Sequence, residues 1–393
     1  MAYSDNAEFL GFVRPDRTVG VRNYVAVIPT VFCANDVALK IAEPFDDVVA
    51  LCHSLGCSHT GMDLKLASRT LKGLGRHPNV GAVLVVGLGR ERLTPSDLAE
   101  AIAPTGKPVE QILVEQEGEL ISAVGEGRVI VERLLKRLEE QPRVKCHASA
   151  LTVAVACEDP DTSTLIAANP SIGAAIDVLV DLGATGIFPA NQDLLGAESV
   201  LDDRARSPEI ASRARAIVGR ARRTQAGNSA GRLGTRRQRS SWVRVAGGMT
   251  TVTERGLGSL AVSGSHPIVG ILDYAEAIPK DRGVFLMDGP VCEAESVTGM
   301  VAGGAQIALL STCHGMPAGF PIAPVIQVVG NPGIFELLRE SIDINAGVIL
   351  QGEAAPQDVG RQILKELLEA ASGQLTRAEL SHNRELFAVW NGS

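Results

Sequence analysis

The chain has 393 residues, 45% of them hydrophobic and 21% charged, which suffices for two domains with sizeable cores and excludes a disordered or low-complexity polymer. Its net charge of −8 argues against nonspecific nucleic-acid binding and requires any site for a small anion to be built locally. No stretch approaches the roughly 20 apolar residues of a membrane span, the first ten residues lack the apolar core of an export signal, and the odd set of 7 cysteines contains no CxxC pair, so a reducing cytoplasm is expected.

Residues 25–29, 48–52 and 80–87 are short apolar runs rich in β-branched residues, separated by segments whose apolar residues recur at helical spacing. This alternation predicts an α/β domain over residues 1–142, closed by a helix over 127–142 that has a charged face and stops at Pro142. A strand over 151–156 opens a second domain, 143–393. There Asn169-Pro170-Ser171 starts a helix over 171–181, and strands are predicted over 183–188, 267–272, 283–287, 305–310 and 325–329. The fold class is α/β, two Rossmann-like domains with mainly parallel sheets. Residues 220–244 are rich in arginine, glycine and serine and read as a loop, either an anion-attracting flap or a solvated insertion.

Polar residues gather at the carboxyl ends of these runs, where open α/β sheets bind ligands. The run over 283–287 delivers Asp288 to a Gly289-Pro290 turn, and that over 305–310 delivers Thr312, Cys313 and His314. Cys52-His53 and Gly56-Cys57-Ser58-His59 offer imidazoles and thiols suited to a borderline divalent metal; the plainer alternative is a core Cys52 and an exposed His59. Cys157-Glu158-Asp159-Pro160-Asp161 is either a hard-cation or acid/base site or an acidic turn capping the next helix. Glu254 and Arg255 follow a Gly247-Gly248 turn and are an acid and cation pair or an exposed ion pair on a helix. The turns at Gly87-Leu88-Gly89 and Gly299 to Gly303-Gly304 lack the GxGxxG spacing and the later acidic residue of a dinucleotide site.

Several of these stretches, in this order, resemble the large catalytic region of the altronate/galactarate dehydratase family. They are Gly11-Phe12-Val13-Arg14, Gly20-Val21-Arg22-Asn23, His53 with Gly56-Cys57, His77-Pro78-Asn79, Ala246-Gly247-Gly248, Asp288-Gly289-Pro290, Thr312 and Asp343-Ile344-Asn345-Ala346-Gly347. The likeness covers about residues 10–390. It implies a lyase that removes water from a hydroxy acid such as a hexonate or hexarate to leave a 2-keto-3-deoxy acid. It also implies a divalent metal, iron(II) first, with manganese, magnesium or calcium as alternatives. Under that resemblance His53, Cys57 and Asp161 are the metal candidates and His53, Asp161, Glu254, Asp288 and His314 the catalytic ones. Arg22, Asn169, Arg255 and Thr312 are then the substrate-binding candidates.

The chain departs from the family pattern at Arg90, Pro160, Pro189, residues 243–245 and His314. His314 stands where the family usually has arginine, exchanging a permanent carboxylate clamp for a group that switches near neutral pH. Family members often carry a small extra domain, so a separate small subunit of about a hundred residues is expected as a partner, and self-association as a homo-oligomer is open. The related sulfolactate sulfo-lyase, which eliminates sulfite, is the enzymatic alternative, and an inactive binding subunit is the alternative of another class.

Overall fold

The structure, a computed structural model, describes residues 7–115, 120–158, 160–231, 248, 251–390 and 392. Strand β1 (Glu8–Val13) pairs antiparallel with β2 (Val19–Gly20). A four-stranded parallel sheet follows, β3 (Tyr24–Pro29), β4 (Val48–Ala50), β5 (Val80–Gly87) and β6 (Val109–Leu113), in the order β4-β3-β5-β6. All eight residues of β5 are buried, as expected for an unbroken apolar run covered on both faces. Helices α1 (Asn35–Ala42), α2 (Gly61–Arg76), α3 (Pro95–Ile102) and α4 (Leu120–Glu139) provide that cover. Alternation sorts the strand residues: Val25 and Val27 face the core under α1 and α4, whereas Ala26 and Ile28 face the core under α2 and α3.

The chain returns through β7 (Val144–His147), which adds antiparallel to β1, and then builds a second sheet. Its strands are β8 (Thr152–Glu158), β9 (Thr185–Ala190), β10 (Ile268–Leu272), β11 (Gly283–Asp288), β12 (Ile307–Thr312), β13 (Val325–Val329) and β14 (Ile344–Asn345). They run parallel in the order β10-β11-β9-β8-β12-β13-β14. The described helices around this sheet are α5 (Asn169–Asp181), α6 (Glu198–Arg204), α7 (Pro208–Gly231), α8 (Val252–Leu260), α9 (Glu293–Ala302), α10 (Pro332–Leu337), α11 (Pro356–Ala371) and α12 (Arg377–Leu380). α/β architecture with parallel main sheets is as the sequence predicts. Among the described residues, 164–181 is long and apolar enough to cross a membrane, but 56% of that window is buried inside the fold, where α5 packs on α11.

Three sequence expectations need correction. The helix expected over 127–142 spans Leu120–Glu139. The helix expected over 171–181 begins at Asn169 and is preceded by a π-helical turn over Thr164–Ala168. The arginine-rich segment expected as a loop over 220–244 is helical through Gly231, within α7, and its remainder falls outside the described residues. Helix α7 keeps its arginines by pairing them with carboxylates: Arg213 with Asp273 at 3.4 Å, Arg215 with Asp202 at 3.1 Å, Arg220 with Asp288 and Arg222 with Glu198.

The core under α2 and α3 runs on into the second sheet, joining Ala26, Ile28 and Leu71 to Ala154, Phe285 and Leu310. Polar groups bolt this junction. Asn79 Nδ2 donates to the carbonyls of Gln306 and Ile322 at 2.9 and 2.8 Å, and His77 Nε2 donates to that of Ala305 at 2.9 Å while Nδ1 accepts from the Asn79 amide. Burial pushes His77 down to about 3, with the Ala305 bond opposing. The folded protein thus keeps His77 neutral where the unfolded chain, titrating near 6.5, takes up a proton. Stability is therefore present above pH 6.5 and lost as pH falls toward 3, at up to about 1.4 kcal/mol per unit. Urea midpoints above neutrality and about one unit below 6.5 are expected to differ less in His77→Gln than in wild type; equal differences would rule this cause out.

Candidate functional site

Each parallel sheet offers a carboxyl edge, and the two edges differ in how their polar groups are used. At the edge of the first sheet the groups are already spent. His53, 7% exposed, directs Nε2 to the Pro29 carbonyl at 2.7 Å and accepts the Leu55 amide on Nδ1 at 3.1 Å, and burial lowers its pKa, so it is a neutral structural imidazole. Glu91 accepts from the Thr30 hydroxyl at 2.6 Å and from the amides of Leu88, Gly89 and Arg90 at 2.8–2.9 Å. Burial alone would raise its carboxyl, but these donors hold it below the usual range. Arg90 is exposed and pairs with Glu115 at 2.5 Å. Cys57 is exposed on the same loop system.

The edge of the second sheet is built differently. Its switch point lies between β8 and β12: the chain leaves β8 toward β9 on one side, whereas β12 leads on to β13 and β14 on the other. There Thr312 and Glu158 sit in register, and the Thr312 hydroxyl donates to Glu158 Oε2 at 2.8 Å while accepting the amides of His314 and Gly315. His314 is exposed just beyond. On the other side β8 and β9 pair only as far as Ala154 and Ile187, although β9 stays paired with β11 to the end. Pro189 explains the parting, because it has no N–H for a further rung toward β8. A cleft of about 400 Å³ counted to its open mouth forms where the strands part, and a water fits over only about 30 Å³ of it. Cys157, Pro189, Asn191, Asp193, Ser259 and Glu293 are among its walls.

Around this cleft several buried polar atoms have no hydrogen-bond partner among the described residues: Asn169 Oδ1, Ser259 Oγ and Arg255 Nε. Buried polar groups are nearly always paired, so these atoms are candidates to bind a ligand or a water, and Ser259 lines the cleft itself. Asn169 uses its amide nitrogen on the Gly258 carbonyl at 2.9 Å and lies 3.6 Å from the Cys157 sulfur. Burial pushes the Cys157 thiol up to about 12, so it is a neutral wall and not a nucleophile. Asp288 ends β11, one strand from the cleft, with 33% of its side chain exposed. Burial holds its carboxyl above the ordinary range, helped by Asp273 and opposed by Arg220 and Arg213.

The structure gathers Asn169, Arg255, Asp288, Thr312 and His314 along this edge and reassigns the other residues singled out in the sequence. Arg22 donates all five N–H groups within the protein and has none left for a substrate. Glu254 and Arg255 do not pair with each other: Glu254 closes a capping box with Thr251 at the start of α8, and Arg255 pairs with Asp193 at 2.5 Å. Asp161 caps the turn before α5, its Oδ1 accepting from the Ser163 hydroxyl and from the amide and hydroxyl of Thr164 at 2.7–2.9 Å. Of the residues named for the metal, His53 has both ring nitrogens and Asp161 its Oδ1 engaged, Cys57 is exposed, and among the described residues no group of three or more His, Cys, Asp or Glu is arranged to hold one. Asp193 and Ser259 carry no sequence motif, whereas Glu158 and Arg220 belong to the acidic run over 157–161 and the arginine-rich segment over 220–244. For Ser259 a signal existed, because the i, i+4 spacing from Arg255 puts both on one helix face.

A carboxyl-edge crevice of this kind, with Arg255 paired to its Asp193 and Asp288 one strand away, is where an α/β enzyme carries its active site. Comparison with known proteins makes this specific. Residues 148–393 match the family model described as D-galactarate/altronate dehydratase, C-terminal, and residues 11–139 match D-galactarate dehydratase/altronate hydrolase, second domain. The chain belongs to this family and is a lyase of the dehydratase type. It is 33% identical over 378 residues to the (2R)-sulfolactate sulfo-lyase subunit beta of Chromohalobacter salexigens, with 96% of each chain covered. It is 28% identical over 399 residues to an altronate dehydratase of Bacillus subtilis, covering 99% of this chain and 79% of that one. To the altronate dehydratase of Escherichia coli it is 28% identical over 390 residues, covering 96% of this chain and 77% of that one.

Proposed function

We propose that the protein is the large subunit of a lyase that removes water from a polyhydroxy carboxylic acid of the altronate or galactarate kind. The observation that carries this is Asp288, a partly buried carboxyl with its pKa raised, placed at a strand end beside a cleft whose buried polar atoms lack partners. The difficult step is removal of the weakly acidic proton next to a carboxylate. Asp288 takes that proton, and the C–H electron pair becomes the new carbon–carbon double bond. The 3-hydroxyl leaves with a proton from His314, whose ring is exposed at the end of β12, and the enol tautomerises to the 2-keto acid. Thr312 holds the backbone of the His314 turn through the 312–315 hydrogen bonds.

A second reading is sulfite loss from sulfolactate, which starts with the same proton and breaks a carbon–sulfur bond instead. It is favoured by the match to a sulfo-lyase beta subunit, with 96% of both chains covered, where the Bacillus subtilis altronate dehydratase is covered over 79%. A separate small partner chain is supported by the second reading, since that relative is named a beta subunit. The test is a panel assay of the purified chain, alone and with any co-encoded small subunit. Keto acid formation is followed for altronate, galactarate and other sugar acids, and sulfite release for sulfolactate, each with and without added divalent metal. Keto acid from a sugar acid is the expected result. Sulfite release would move the protein to the second reading, and silence with the partner present would overturn both.

A further inference from the structure

Helix α8 sets one wall of the cleft. Its first turn is clamped against the 195–197 segment: a Cβ on Gly256 would come within 2.3 Å of the Leu195 carbonyl, and one on Gly196 within 2.7 Å of Thr253. Asn169 secures the other end by donating to the Gly258 carbonyl at 2.9 Å. This wall presents Arg255 and, one turn on, Ser259. Ser259 is 4% exposed, lines the cleft and has a hydroxyl with no partner among the described residues. Arg255 gives one N–H to Asp193 at 2.5 Å while its buried Nε has no acceptor. Asp193, itself a cleft residue, thus places a carboxylate against a guanidinium that still has a donor to give, next to a hydroxyl that is unused.

We propose that Arg255 and Ser259 form the subsite for the substrate's carboxylate, and that Asp193 is an internal stand-in that holds Arg255 until a substrate carboxylate replaces it. This rests on the lyase reading above for the identity of the ligand, a 2-hydroxy carboxylate, but the contacts are those of this chain alone. Arginine offers its donors in a planar fork that suits two carboxylate oxygens, and Ser259 adds a donor at right reach along the same helix face. Replacing the internal carboxylate also frees the cleft, which in its present form admits little more than water.

The experiment is calorimetric titration of the full-length protein, with its small partner where one is found, using glycerate and, as its uncharged counterpart, glycerol. Wild type is expected to bind glycerate and not glycerol. Ser259→Ala, which removes one charge-assisted hydrogen bond, is expected to weaken glycerate about tenfold. Asp193→Asn, which removes the competing anion, is expected to tighten it. Opposite signs are the signature, since damage to packing would weaken both. Unchanged binding in Ser259→Ala, or weakening in both variants, overturns the subsite. If the panel assay shows turnover but the KM of Ser259→Ala equals that of wild type, the subsite falls and the lyase reading stands. If glycerate binding follows the expected pattern and no substrate is turned over, the lyase reading falls and the subsite stands. Absence of both binding and turnover overturns the two together.

Discussion

Replacing Arg22 with alanine is expected to lower the unfolding free energy by about 3–5 kcal/mol, the usual cost of removing one partner from a buried ion pair. The Arg22 and Glu379 side chains are 6% and 13% exposed, and the fork is bidentate, with both bonds at 2.7 Å. The other three N–H groups serve the carbonyls of Val21, Ala370 and Gln374 at 2.7–2.9 Å, so the side chain ties the strand-to-strand segment before β3 to the end of α11. Truncation would leave the Glu379 carboxylate without its cation and the Gln374 carbonyl without the Arg22 donor in a region water reaches poorly, while Thr376, Arg143 and Gly373 still donate to Glu379, Val21 and Ala370. The measurement is the urea midpoint at constant m, compared with Arg22→Met/Glu379→Leu, which removes both charges and is expected to recover much of the loss. KM of the folded Arg22→Ala protein is expected to match wild type. A raised KM with an unshifted midpoint would return Arg22 to the substrate.

Arg22 also shows what kind of information a sequence withholds. Its position near a predicted strand and its chemistry as a carboxylate clamp were both legible, but whether its donors are already used depends on Glu379 and Ala370, about 350 residues away in the chain. His53 is the same case: strand-end placement is right, and both ring nitrogens are taken by backbone groups that no motif displays. By contrast β5 coincides with its predicted span because a strand covered on both faces must be apolar throughout. Strands β8 and β12 each run two residues past their apolar runs, since backbone pairing continues through Cys157, Glu158, Ser311 and Thr312 whatever their side chains. Those four close the strands at the carboxyl edge, so the part of the strand that periodicity misses is the part that borders the proposed site. The pairing of β1 with β7 was invisible for a different reason, being short, exposed and formed between segments over 130 residues apart. Helix α7 looked like a loop because it has little apolar face; cross-element ion pairs from Arg213, Arg215, Arg220 and Arg222 supply what periodicity does not.

Asp288→Asn is expected to lower kcat by about 10²–10⁴-fold on whichever substrate the panel identifies, the range for loss of a positioned general base. Asparagine keeps the size and can still meet the Arg220 region, so the fold has little reason to change. The Arg220 and Asp288 side chains are 52% and 33% exposed, and a pair this open to solvent contributes at most about 1 kcal/mol. A large fall in kcat with a nearly fixed urea midpoint therefore separates chemistry from structure. The pH dependence supplies the sign. A base must be deprotonated, and burial holds the Asp288 carboxyl above the ordinary carboxylate range, so wild-type activity is expected to fall as pH drops through that raised pKa. Asp288→Asn should lack this acid limb. Arg220 is one of the groups that lowers the Asp288 pKa, so Arg220→Met should move the limb to higher pH and raise the fraction of protein that is protonated and idle near neutrality. An acid limb that stays in place in Arg220→Met, or a kcat for Asp288→Asn within about threefold of wild type, would remove Asp288 from the reaction and leave Glu158, hydrogen-bonded to Thr312 at the switch point, as the next carboxylate along the same edge.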